Sequence, residues 1–86
     1  MIKSPAIKTK EGMIYTGRTY YHIIDNYKDL TGKTLHSQNS EQGFVTTDGD
    51  FVLPSIAAKI AFQAGQIDKK LTFLFPVNLK RNIIQI

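Results

Sequence analysis

Cysteine is absent from all 86 residues, so neither a disulfide nor a thiolate-held metal can staple the fold. Histidine is nearly as scarce. His22 and His36 are the only imidazoles, and their separation fits no familiar zinc-ligand spacing. No apolar run reaches the roughly 20 residues of a membrane helix. The start, Met1-Ile-Lys-Ser-Pro-Ala, lacks the apolar core of a signal peptide. The expectation is a soluble, cytoplasmic protein with no membrane partner.

Catalytic patterns are missing too. Gly43 and Gly49 do not have the spacing of a P-loop or dinucleotide loop. Ser37, Ser40 and Ser55 sit in no nucleophile elbow. His22 and Asp25 are neighbours on a helix, an arrangement more often used for surface hydrogen bonding than for acid–base work. The sequence points away from an enzyme and requires no cofactor and no metal. Like charges form no block. Eleven basic and seven acidic residues are interspersed, and their net charge of +4 favours an anionic partner only weakly.

What is present amounts to one small α+β domain spanning residues 1–86. A core of this size is marginal without staples, and such chains gain burial by association. A homo-oligomer, dimer or higher, is therefore expected. The organising stretch is residues 41–67. Gly43, Val45 and Thr47 alternate with Phe44 and Thr46 as in a strand. Asp48-Gly49 signals a tight hairpin turn, because a primed turn needs positive φ and glycine supplies it. Phe51-Val52 returns as a short strand. An Ala-rich helix follows, with Pro54 suited to its first position or Ser55 to its cap. Ile56, Ile60 and Ala64 make its stripe with Ala57 and Ala61 beside them, and the alanines suit close packing on a sheet or a symmetry mate; Gly65 is its left-handed stop, with Ile67 packing back over the last turn.

Upstream, residues 2–10 read as an edge-prone strand. Ala6, Lys8 and Lys10 face one way, and Pro5, Ile7 and Thr9 the other; lysines on such a strand guard an exposed edge. A turn at Lys10-Glu11-Gly12 leads into a return strand over Met13–Thr16, which puts a hairpin return at 9–17. Residues 18–31 switch to helical period, with Tyr20, Ile23, Ile24, Tyr27 and Leu30 as the apolar stripe, Thr19 as cap and Gly32 as stop. Tyr21 and His22 lie off the stripe, free for a ligand or another subunit. Residues 33–40 form a polar loop. Leu71–Phe75 is a dense apolar run closed by Pro76, and Ile83–Ile86 is an apolar tail suited to docking as a short C-terminal strand, even on a neighbour's sheet.

A small anionic nucleotide is the ligand class this inventory serves best. Stacking needs an aromatic face, for which Phe44 and Phe51 are candidates. Gln42, Thr46 and Asn78 offer hydrogen bonds to a base. Arg18, Lys80 and Arg81 offer cations to phosphate, and Asp48 or Asp50 an acceptor for ribose hydroxyls. The competing reading places both phenylalanines in the core, lays Arg18 over the first turn of its helix, and leaves Lys80-Arg81 as a solvated tail.

Three segments carry a family resemblance: Gly17-Arg-Thr-Tyr-Tyr-His-Ile-Ile24, Glu41-Gln-Gly-Phe-Val-Thr-Thr-Asp-Gly-Asp-Phe-Val52 and Ala57-Ala-Lys-Ile-Ala-Phe-Gln-Ala-Gly-Gln-Ile67. Their order resembles small phage and prophage proteins that include the first-described type of anti-Thoeris protein. Those proteins soak up cyclic ADP-ribose signals made by bacterial TIR enzymes and leave them uncleaved. The resemblance covers about residues 5–67. It implies a symmetric α+β oligomer holding its ligand at a subunit interface through arginines, amides and an aromatic. Gln42, Gly43 and Phe44 match best, with Arg18 as the basic residue ahead of the helix. Pro54 stands where a basic residue is usual, Leu53 where a polar cap is usual, and Tyr20 and Tyr21 where histidines are common. The apolar run after Ile67 is too short for the second long helix that the resemblance implies.

Two other classes compete. A nucleic-acid-binding accessory protein would use the Lys8/Lys10 face, but the aromatics are not interleaved with basic residues, which disfavours nucleic acid. An inhibitor of a host protein would use the apolar faces.

Overall fold

Glycine turns set up the sheet. β1 (Ile2–Thr9) doubles back through Gly12, at φ 92°, to pair antiparallel with β2 (Ile14–Thr16). The computed structural model describes residues 1–36 and 38–79. β3 (Ser40–Thr46) runs antiparallel along the other side of β1, from Thr9 opposite Ser40 to Ile2 opposite Thr46, with a bulge between Ile2 and Ser4. β4 (Phe51–Val52) pairs with β3, giving the order β2-β1-β3-β4.

β1 is thus an interior strand, not the edge its lysines suggest. Lys8 guards no edge; its ammonium lies 5.9 Å above the Phe51 ring. The pairing that decides this spans some thirty-five positions of sequence, beyond any local pattern. Pro5 is tolerated inside the sheet because its missing N–H falls past the end of a ladder. Its carbonyl accepts from Gly17 N–H at 3.4 Å, which fixes that side as the one facing β2, and β2 ends at Thr16 opposite Ala6.

Register places Pro5, Ile7, Phe44 and Val52 on one face, and both helices cover that face. α1 (Tyr20–Thr31) starts at Thr19, whose Oγ1 accepts the His22 N–H at 3.2 Å, and ends at Gly32, φ 75°. Ile23 packs on Ile7 and Leu35, with Tyr20, Ile24 and Tyr27 around them. Leu30, counted in the stripe, is exposed; contact with this cluster ends at Tyr27. The Tyr20 ring meets Phe44 edge-on at 6.1 Å and so joins this cluster to the second.

α2 (Pro54–Gln63) has Leu53 as a cap without a side-chain bond, and Pro54 takes the first helical position. Its buried side is Ala57, Ala58 and Ala61, so the alanines beside the stripe do pack on the sheet, while the stripe itself turns away: Ile56 and Ala64 are exposed and Ile60 only half-buried. The reason is volume. Phe44, wholly buried beneath the helix, fills the space, so methyl groups alone fit between helix and sheet. A Schellman motif ends the helix, with Gly65 at φ 75° and Gln66 N–H donating to the Ala61 carbonyl at 2.8 Å. Ile67 packs back as its position suggests.

Two local details position the rest. The β3–β4 connection is not a two-residue primed turn. Thr46 N–H donates to Asp50 across a four-residue loop, and only Gly49, at φ 94°, is left-handed. Gln66 reaches across to the N-terminus, where its amide makes two bonds with Ile2, both 2.7 Å. Residues 71–75 are irregular and 76–79 make one helical turn, with Leu74 and Leu79 in the core. The short C-terminal strand expected at Ile83–Ile86 lies outside the described residues.

Candidate functional site

Where β2 gives way to α1, the chain opens a cleft of about 490 Å³. That lies within the span of roughly 300–1,000 Å³ usual for small-molecule sites. One wall is the bulged start of β1, with Lys3, Ser4 and Pro5; another is the Thr16–Thr19 connection; Pro76 and Leu79 close the third side. Bulges re-aim side chains next to sites of this kind. Gly17 lets the helix begin this close to the strand. A Cβ there would stand 2.9 Å from Ile23 Cγ1, although its φ is ordinary.

The electrostatics have one sign. Lys3, Arg18 and His22 line the cleft, and no carboxylate does so among the described residues. The first turn of α1 also lacks an acidic residue, so its amide dipoles meet no side-chain counter-charge. Ser4, Thr16 and Thr19 add hydroxyls. Thr19 does double duty, because its Oγ1 also lies 2.7 Å from His22 Nδ1. When Thr19 O–H donates to Nδ1, His22 keeps its proton on Nε2, and that N–H is a donor for an anion. Beside the cleft, Tyr21 is 70 % exposed, with its ring centre 6.4 Å from that of His22.

Arg18 and His22 therefore come together, with Tyr21 next to them. The other sequence candidates do not join them. Phe44 is 0 % exposed and offers no face for stacking; its role is the core. Thr46 is buried, and its Oγ1 accepts the Asp50 N–H at 3.1 Å, so it closes the β3–β4 loop that carries the exposed Asp50. Gln42 borders a separate hollow of about 340 Å³ with His36 and Ser40. Asn78 spends its Oδ1 on the Phe75 N–H at 2.8 Å, in the turn whose Pro76 and Leu79 wall the cleft. Arg81 lies outside the described residues. Among the companions of Phe44, Phe51 is half-buried with its ring over Gly43.

Lys3, Ser4, Thr16 and Pro76 line the cleft without having been singled out from the sequence. Only the tertiary meeting of the chain's start, its first connection and its late turn brings them together. The bulge left no local signal, and lysines on β1 read as surface. Tyr20, on the same helix turn, is structural. Its hydroxyl donates to the Gly43 carbonyl at 2.9 Å, and burial raises its pKa to about 12, so it stays neutral. Among the described residues no three His, Cys, Asp or Glu side chains come together to hold a metal. No helix there is long and apolar enough to cross a membrane.

Neither the curated proteins nor the solved structures give a significant match. The family model described as Phage T4 y16D protein matches residues 1–79, which includes the whole sheet, both helices and every described wall of the cleft. The chain belongs to that family of small phage proteins.

Proposed function

We propose that this phage protein binds a small phosphate-bearing nucleotide of the cyclic ADP-ribose type in the α1 cleft and sequesters it without cleaving it. The observation that carries the reading is the single sign of charge that the described residues give the cleft: Lys3 and Arg18, with the His22 N–H as a further donor, beside a helix N-terminus whose first turn holds no acidic residue. A pyrophosphate needs such donors, because a hydrogen bond between ionised groups is roughly twice as strong as a neutral one. The His22 ring is the only aromatic surface in the lining among the described residues, and the Tyr21 ring stands 6.4 Å from it. The described lining supplies cations, an imidazole and hydroxyls, the groups that hold a phosphate. Membership of a phage family supports a role inside the infected host cell, where an anti-defence sponge would work.

Isothermal titration with cyclic ADP-ribose isomers tests this, followed by heat release and mass spectrometry of the ligand. Saturable binding, weakened in Arg18→Gln, and recovery of intact nucleotide are expected. Recovery of a hydrolysed product would mean an enzyme. Absence of binding by every isomer would remove the nucleotide reading.

A further inference from the structure

Five of the eleven large apolar side chains left exposed among the described residues lie on two segments that a backbone hydrogen bond joins. Leu74 is buried, and its N–H donates to the Pro54 carbonyl at 3.0 Å, so the late segment is tied to the start of α2. Phe73 and Phe75 flank Leu74, Leu53 and Ile56 flank Pro54, and Val77 follows. All five are between 45 % and 61 % exposed. Neither residues 53–58 nor residues 71–79 contain a charged side chain. Isolated exposed apolar residues need no explanation, but a contiguous charge-free group does.

We propose that this patch is the surface through which two copies of the chain associate. The five side chains expose on the order of 500 Å² of apolar area, taking about 200 Å² for a whole phenylalanine and slightly less for the aliphatics. A standard interface takes about 800 Å² per partner, and in homodimers about 65 % of it is apolar. The patch therefore matches the apolar share of one side. A two-fold axis sets a surface against itself, which suits a patch with no like charges to oppose. The same neutrality gives a charged partner nothing to read. Pro76, between Phe75 and Val77, is also a wall of the cleft, so a second copy would stand at the cleft's rim. The association does not depend on what the cleft binds.

Sedimentation equilibrium across the micromolar range tests it. The wild-type chain is expected to dimerise, and Phe73→Ser with Phe75→Ser to raise the dissociation constant about a hundredfold with an unchanged far-ultraviolet spectrum. A wild-type monomer throughout overturns the proposal and leaves a different protein as occupant; so does a double variant whose dissociation constant matches that of the wild type. Should that variant fail to fold, the absence of native cysteine allows a second measurement. A short bis-maleimide should link Val77→Cys chains far faster than Met13→Cys chains, and equal rates overturn the proposal.

Discussion

Substituting Gly43 by alanine tests the account of the fold at its tightest point. Gly43 has ordinary φ, so backbone strain is not the issue; space is. An added Cβ would lie 2.6 Å from Phe51 Cζ and would meet the Val52 carbonyl oxygen head-on. The ring can swing away, at the expense of its contact with Lys8. The carbonyl belongs to β4 and cannot move without opening the β3–β4 pair, which consists of only two registered pairs, Phe44 with Val52 and Val45 with Phe51. Gly43 also offers its own carbonyl to Tyr20, so a shift there loosens α1. Overpacking of this kind costs about 1–3 kcal/mol, and in a domain this small each kcal/mol moves Tm by about 4–8 °C. Thermal unfolding followed by circular dichroism should therefore show a Tm lowered by roughly 4–24 °C. Combining Gly43→Ala with Phe51→Ala relieves the ring clash alone, so the double variant should remain less stable than Phe51→Ala. A Gly43→Ala protein melting within about 2 °C of wild type would refute the packing argument.

Gln66→Ala leaves both the Ile2 N–H and its carbonyl without their side-chain partner; a loss of about 2 kcal/mol is expected in urea titrations. Lys3→Gln and Arg18→Gln should each weaken binding of a pyrophosphate-bearing nucleotide about tenfold and make its affinity less salt-dependent, as read by calorimetry at two ionic strengths. Lys59→Gln, on the exposed side of α2, should change neither. Tyr20 gives a pH signature. Its pKa is raised from 10.0 to about 12 in the folded chain, so its contribution is complete below about pH 10 and is lost as pH rises towards 12. Urea midpoints should fall across that window more steeply in wild type than in Tyr20→Phe, and parallel curves would contradict the assignment.

Much of the fold was legible locally. Gly12, Gly32 and Gly65 stand at positive φ where the turn and helix-stop signals place them, and Thr19 caps α1 as its side chain allows. Those features depend on a few adjacent residues and on sterics that glycine alone escapes. The Gln-Gly-Phe and Ala-Gly-Gln motifs were also visible, and with them the core reading of Phe44, but the parts played by Gly43 and Gln66 were not. Gly43 and Phe44 serve packing, and Gln66 clamps the first strand.

Where the chain turns, caps and alternates follows from neighbouring residues alone, because those choices are settled within a few positions. Long-range packing set the rest: that β1 lies inside the sheet, that α2 turns Ile56 outward, and that Lys3, Arg18 and His22 share one cleft. Each of these depends on volume and pairing between segments far apart in the chain: β3 covering the free side of β1, Phe44 filling the space under α2, and the turn at 76–79 closing over the first connection. Side-chain periodicity cannot carry that information, since it records which face is apolar but not what will lie against it.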